Sequence, residues 1–198
     1  MAADYDQMAR NLEHFYPFKD KVVVFVGAGV KQLLDVGRIP KRTIAIDQNA
    51  EALQQLRQQV EARHLENVVE VVQSDFFDVT SRGDVVYFEF CLHEMIDPDM
   101  ALAHAKSLAP DIVVFDHTPG SEWAYLAAEE DKVARSTQAM ERFGIRDRRI
   151  FLTDQHFKDH AELLAKVSPQ GSLAVERAAR YLHTTGISIP MGYGLTLL

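Results

Sequence analysis

The stretch "VVVFVGAGVKQLLD", residues 22–35, decides the fold. Five apolar residues run directly into Gly27-Ala28-Gly29, and an amphipathic stretch follows. This succession predicts a strand that turns tightly into a helix. Two glycines also occur where a turn simply needs a positive φ, so the turn alone does not indicate which ligand it binds.

Short apolar runs alternate with helical patterns up to residue 117. Asn49 is the predicted N-cap of one helix, and Asp97 caps another in which Pro98 takes the first helical position. Nearly continuous apolar strands are typical of a parallel sheet covered on both faces. Five strand–helix units in series predict an open, doubly wound α/β sheet. The predicted strands are residues 21–27, 42–47, 67–75, 83–91 and 110–117, and the predicted helices between them include 50–63 and 97–109.

The pattern changes after residue 117. A long helix capped by Ser121 is followed by a short strand or connector, a further helix and two strand-like runs joined by a turn. We expect those two runs to form an antiparallel pair that closes the sheet. No repeat or linker marks a second domain, so residues 1–198 are predicted to form one. The elements of this tail are 118–145, 148–154, 155–167, 172–183 and 186–198.

The composition excludes several classes of protein. The chain has 198 residues and a formal net charge of −8 without a strongly basic cluster, so nucleic acid is not an expected partner. A single cysteine cannot form an intramolecular disulfide, which fits a reducing compartment. Neither a signal-peptide pattern nor a membrane-spanning apolar run is present, so no membrane contact is expected. A cytoplasmic protein is predicted, and a homodimer stays open.

Two acidic residues end neighbouring predicted strands. Asp47 closes the second strand, and Asp75 closes the third. A carboxylate at the position of Asp47 can accept hydrogen bonds from both hydroxyl groups of a ribose. A carboxylate beside an aromatic residue can accept the adenine amino proton while the ring packs on the base. Each acid alone is also explained as a capping or turn residue, but both together with the glycine turn indicate an adenosine cofactor.

At this point the chain resembles the class I S-adenosylmethionine-dependent methyltransferases, over roughly residues 20–120. The resemblance implies a seven-stranded, mostly parallel, Rossmann-like sheet whose last strand is antiparallel. It also implies S-adenosyl-L-methionine as the cofactor. The stretches that carry it are "VFVGAGV", "IAID", "QSDFFD", "GDVVYFEFCLHEM" and "LAPDIVVFDH".

The resemblance further implies how the cofactor is held. The implied contacts are Gly27 and Gly29 at the methionine part, Asp47 at the ribose hydroxyls, Asp75 and Phe76 at the adenine, and the segment from Glu89 to Leu92 near the sulfonium. Gln48 is a further predicted cofactor contact. Two departures from the family pattern concern the methionine end. Phe25 stands where the family usually has an acid, and Lys31 or Gln32, depending on the motif, stands where it has a third glycine. Glu89 is the predicted replacement for the missing acid.

Methyl transfer is an in-line displacement, so the nucleophile and the methyl carbon must be held within about 3–3.5 Å of each other. His93, after the fourth strand, is the predicted base, with a pocket-lining role as the alternative. Asp116 and His117 end the fifth strand, where open α/β sheets bind ligands, and are the other catalytic candidates. The predicted substrate contacts are Tyr16, His93, His117 and Trp123, with residues 1–20 as an N-terminal cap helix and 118–170 as a helical substrate cover.

No metal site is predicted. His156 and His160 have the spacing of two residues on one helix face, but no carboxylate completes a binding motif. Cys91 lies two residues before His93, and a buried strand-end cysteine is favoured over a nucleophile.

These features predict S-adenosylmethionine-dependent methyl transfer to a small-molecule acceptor. Two alternatives stay open. A nicotinamide-dependent oxidoreductase shares the glycine turn and Asp47 but has no use for Asp75. A catalytically inactive cofactor-binding or scaffold protein with the same fold would account for Phe25 and Lys31.

Overall fold

The computed structural model describes residues 4–27 and 40–198. Gly29, Lys31 and Gln32, on which part of the glycine-turn prediction falls, lie outside the described residues. The strands are β1 (Val22–Val26), β2 (Arg42–Asp47), β3 (Val69–Gln73), β4 (Val85–Glu89), β5 (Asp111–His117), β6 (Asp147–Asp159) and β7 (Thr185–Leu197). The described α-helices are α1 (Tyr5–Phe15), α2 (Ala50–Ala62), α3 (Pro98–Leu108), α4 (Glu122–Leu126), α5 (Glu130–Phe143), α6 (His160–Val167) and α7 (Ser172–Ala178).

The seven strands form one sheet in the order β3-β2-β1-β4-β5-β7-β6. Strands β1 to β5 are parallel, and β7 pairs antiparallel with both β5 and β6. The predicted doubly wound, mostly parallel sheet of seven strands with an antiparallel last strand is therefore confirmed. The strand order reverses between β1 and β4. In open α/β sheets, ligands bind at the carboxyl ends of the strands beside such a switch point.

Both faces of the sheet are covered, as the continuous apolar strands require. On one face, Phe25, Tyr87 and Phe115 pack in a core shared with α1, α2 and α6. On the other, Val24 and Val86 pack in a core shared with α3 and α5. Alternate residues of each strand thus face opposite cores. Among the described residues, no helix has the length and apolar character needed to cross a bilayer.

Helix α1 lies along the first of these faces. Asp4 caps it, and Met8 and Leu12 are buried one turn apart on its inner side. The Asn11 amide donates a 2.8 Å hydrogen bond to the Tyr193 hydroxyl on β7. Just after the helix, the hydroxyl of Tyr16 donates a 2.6 Å hydrogen bond to Asp111 Oδ2 at the amino end of β5.

The predicted tail is wrong in two places, and long-range strand pairing decided the first of them. Residues 155–159, predicted as helix, extend β6 and pair with β7. His156 therefore lies on a strand while His160 begins α6, so the two do not share a helix face. The predicted strand 172–183 is instead α7 and a following helical turn, with Ala174 and Ala178 buried four residues apart. Local sequence preferences cannot reveal such pairing, since strand formation depends on the partner.

The predicted long helix over 118–145 is broken. Helix α4 ends at Leu126 and α5 begins at Glu130, and Ala128 between them has a positive φ of 58°. The break turns Glu129 inward, where its residue is only 5% exposed. Because β6 follows, the predicted substrate cover over 118–170 is also only partly helical.

Candidate active site

Gly27, directly after β1, approaches the end of β4 very closely. Gly27 has a φ of +81°, and a Cβ atom at this position would lie 2.7 Å from Cys91 Cβ and 2.8 Å from its Sγ. The Cys91 thiol in turn donates to the Val26 carbonyl over 3.1 Å. Burial raises the pKa of the Cys91 thiol, so it is a packing group rather than a nucleophile. Only glycine satisfies both the conformation and the space at residue 27.

We expect Gly27→Ala to lower the free energy of unfolding by about 2 kcal/mol, since it adds a steric clash to left-handed backbone strain. Gly120 is a matched control, with a φ of +80° and no atom within 4 Å of the added Cβ. Gly120→Ala should therefore cost only the strain, about 1 kcal/mol. Urea unfolding of both variants checks the difference, and equal losses would contradict the packing argument.

Asp47 ends β2 and Asp75 lies two residues after β3, and both are at the carboxyl edge of the sheet. The Gln48 amide donates a 2.9 Å hydrogen bond to Asp75 Oδ2, which ties the residue after Asp47 to Asp75. Asp47 Oδ1 also accepts a hydrogen bond from the Asn49 backbone amide, and Asp75 Oδ1 accepts one from the Phe77 backbone amide. Each carboxylate is therefore oriented by its own turn, so the capping role considered for these acids is real and also fixes their direction.

The exposed aromatic ring beside Asp75 is not the predicted one. Phe76 is buried, with its ring packed edge-on against Phe88 and His104. Phe77 is 41% exposed. The 3-10 turn after Asp75 points the first phenylalanine into the core, so the ring open to a ligand is that of Phe77.

Glu89 ends β4 as a buried carboxylate. It accepts a 3.1 Å hydrogen bond from the Tyr87 hydroxyl. Phe25, which stands where the resemblance predicts an acid, is fully buried with its ring 5.1 Å from that of Tyr87. The side chain at residue 25 therefore belongs to the core, and Glu89 is the carboxylate at this part of the edge.

One strand further along, Asp116 holds two histidines in place. Its Oδ1 lies 2.5 Å from His93 Nδ1 and accepts from the His117 backbone amide over 2.8 Å, while its Oδ2 accepts from the His93 backbone amide over 3.0 Å. All three residues are buried. Asp116 is thus occupied by its neighbours and positions them, instead of facing a substrate as predicted.

The opposite side of the two imidazole rings faces glutamates. His93 Nε2 lies 3.4 Å from Glu94 Oε1 and 3.8 Å from Glu129 Oε2. His117 Nε2 lies 4.0 Å from the same oxygen of Glu129. We call His93, His117 and Glu129 the histidine–glutamate cluster. Lys132 borders it and pairs with Glu94 over 2.6 Å.

The ionisation of this cluster is strongly perturbed. Burial lowers the pKa of His93, but the hydrogen bonds to Asp116 and Glu94 outweigh it and raise the pKa to about 10. Burial lowers the pKa of His117 to about 4. Burial raises the pKa of Glu129 to about 7, against the attraction of His93. The raised pKa of His93 argues against the predicted role as a base.

Two predicted substrate contacts lie elsewhere. Tyr16 bonds to Asp111 at the amino end of β5, six residues before His117, which is about 20 Å along a strand. Trp123 is 6% exposed and stacks on Phe157 of β6 with ring centroids 5.7 Å apart. Both side chains pack in the core instead of lining a substrate pocket.

Glu129 is the site residue that sequence reasoning missed. Glu129 lies inside the predicted helix over 118–145, and the helical pattern shows no interruption there. An acid in "AAEED" is normally solvent-exposed. The signal that it differs is the helix break at Ala128, and a positive φ at alanine leaves no trace in composition or periodicity.

Comparison with known proteins identifies the framework around this site. A sequence family described as a methyltransferase domain matches residues 24–110, which include the acids ending β2, β3 and β4. The match with this family covers residues 24–110, a little under half of the chain. No curated protein matches the sequence.

Solved structures share the fold of this protein along nearly the whole chain. An inferred methyltransferase from Bacillus halodurans superimposes with a TM-score of 0.69 at 14% identity, covering 96% of this chain and 97% of the other. The 4+2 cyclase SpnF gives 0.63 at 16% identity, with 97% and 79% covered. A SAM-dependent methyltransferase from Aquifex aeolicus gives 0.56 at 18% identity, with 98% and 90% covered. At these identities the likeness shows the fold.

Proposed function

We propose that this methyltransferase domain binds S-adenosyl-L-methionine and transfers its methyl group to a small-molecule acceptor. The observation that carries the proposal is the pair of oriented carboxylates, Asp47 and Asp75, joined through Gln48 at the edge where the Gly27 turn begins. Acids in this arrangement suit the ribose hydroxyls and the adenine amino group of one adenosine. The name of the Aquifex aeolicus protein, a SAM-dependent methyltransferase, supports the same cofactor.

The cofactor-binding roles follow the strand ends. Asp47 would accept the ribose hydroxyl protons, and Asp75 with Gln48 would bind the adenine edge beside the Phe77 ring. Glu89 would take the methionine amino group, since a buried carboxylate at the end of β4 suits a cation. The bound cofactor supplies an activated methyl group on a sulfonium, and the chain itself has to bind, orient and exclude water.

The acceptor would bind beside the histidine–glutamate cluster, at the ends of β4 and β5. The segment containing α4 and α5 reaches this edge and contributes Glu129 to it. This segment is the part of the predicted cover that we retain. A cluster of buried polar groups favours an acceptor with a polar or ionisable reacting atom.

The proposal is tested by calorimetric titration of the full chain with S-adenosylmethionine, S-adenosylhomocysteine and NADH. We expect one equivalent of each sulfur compound to bind and NADH to bind at least about tenfold more weakly, as a ribose-and-adenine site with a methionine end requires. Tighter NADH binding would favour the oxidoreductase alternative. Equal binding of adenosine and S-adenosylmethionine would favour the inactive scaffold, and no binding at all would overturn the proposal.

A further inference from the structure

We propose that His93, His117 and Glu129 bind one divalent transition-metal ion of the zinc class, with a fourth ligand position left open. Each of the three side chains offers a ligand atom, and these atoms all lie within 4.8 Å of one another. All three residues are buried. Two imidazoles and one carboxylate with an open position are the ligand set of many catalytic zinc sites.

The distances fit an ion better than they fit direct bonds. The gaps of 3.8 Å and 4.0 Å from Glu129 Oε2 to His93 Nε2 and His117 Nε2 are too long for hydrogen bonds. Ligand atoms about 2.0–2.2 Å from a tetrahedral zinc ion lie about 3.3–3.6 Å apart. Closing separations of at most 4.8 Å to this spacing would bring the three atoms into a coordination sphere.

Asp116 supplies the outer support that metal-binding histidines need. Its Oδ1 holds His93 at Nδ1, so Nε2 is the nitrogen presented to the glutamates. Histidine ligands are commonly fixed in this way by a carboxylate on the far ring nitrogen. His117 Nδ1 makes no hydrogen bond of good geometry, although the Gly192 carbonyl lies close enough to influence it.

The local charges also favour a cation. Asp116 and Glu129 place two carboxylates in a buried space, whereas the neighbouring Lys132 is bonded to Glu94 over 2.6 Å. A divalent ion that displaces the ring proton shared between His93 Nε2 and Glu94 would take over the balance of the buried carboxylates. Imidazole ligands favour zinc, cobalt or iron over magnesium and calcium, which prefer oxygen ligands.

The open position gives the ion a role that rests on the proposed function. An acceptor with a thiol or hydroxyl group would coordinate there, and a bound metal favours the deprotonated form of such groups. The acceptor would lose its proton to solvent on coordination. Its anion would then form the new bond to the methyl carbon as the carbon–sulfur bond breaks, and the sulfur would keep the electron pair.

The metal site is tested on the full chain after dialysis against a chelator, by titration with Zn²⁺ and with Co²⁺. We expect one equivalent of either ion to bind, and the Co²⁺ form to show the visible absorption of a four-coordinate site. His117→Ala and Glu129→Gln should each weaken metal binding by more than about 100-fold. This is a larger loss than the removal of a residue that supports a ligand without coordinating the metal would cause. The matched controls are His156→Ala on β6 and Glu141→Gln on the exposed side of α5, and both should bind as the wild type does.

The outcomes separate this inference from the proposed function. No stoichiometric binding by the wild type, or binding unchanged in both cluster variants, would overturn the metal site. Circular dichroism establishes that each variant is folded before its affinity is compared. Binding of S-adenosylmethionine by the metal-free chain is measured separately, so a failed metal titration leaves the cofactor proposal standing and the reverse also holds.

Discussion

Asp116→Ala is expected to lower the free energy of unfolding by about 3–5 kcal/mol, because it breaks a buried pair from one side. The substitution removes the acceptor of two backbone amides and of the His93 ring. His93 would then remain buried without its carboxylate, and the amides of His93 and His117 would lose their partner. Urea unfolding of the full chain measures the loss.

The control for this prediction is an aspartate with an exposed ion pair. Asp99 on α3 bonds to Arg142 on α5 through both carboxylate oxygens, but both side chains are about half exposed. Surface pairs contribute little to stability, so Asp99→Ala should be close to neutral. If the two variants lost similar stability, the central position of Asp116 in the site would be refuted.

Asp47→Asn is expected to weaken S-adenosylmethionine binding by about 100-fold, or about 3 kcal/mol. The carboxylate would make two charge-assisted hydrogen bonds to the ribose hydroxyls, each worth about 1.5–3 kcal/mol. Asparagine keeps an acceptor for the Asn49 amide, so the turn after β2 is retained. The variant therefore tests ligand binding more cleanly than alanine, and calorimetry gives the change in affinity.

The matched control is Asp78→Asn. Asp78 is an exposed acid in the 3-10 turn after β3, a few residues beyond Asp75. The Asp78→Asn substitution makes the same change in net charge as Asp47→Asn but does not alter a strand end. Cofactor affinity should therefore stay within about twofold of the wild type. Equal affinity in the Asp47 and Asp78 variants would show that the ribose is not held by Asp47.

The central sheet was predictable because its signals are local. Buried parallel strands require continuous apolar runs, and each run from "VVVFV" onward is bounded by a cap or turn residue. The positions of Asp47 and Asp75 follow directly, since residues that end parallel strands meet at one edge. The neighbourhood of His93, Asp116 and His117 is also expected from strands β4 and β5, which are adjacent.

The tail was less predictable because its structure depends on partners. Residues 155–159 carry a helix-like pattern, yet they continue β6 because β7 offers a pairing partner along its whole length. Trp123 was predicted to contact the substrate, but its ring stacks on that of Phe157 on β6. Neither contact can be expected without knowing where β6 lies.

By itself, the sequence determined the order of the described strands and helices up to residue 117, the turn residue Gly27, and the acids at the carboxyl edge. These features depend on alternation, caps and strand ends, which are properties of neighbouring residues. Only the tertiary structure decided that Glu129 faces His93 and His117, that Asp116 is a positioning residue, and that Tyr16 and Trp123 serve the core. Those outcomes depend on which distant side chains meet, because a buried charge is acceptable only where the fold supplies a partner.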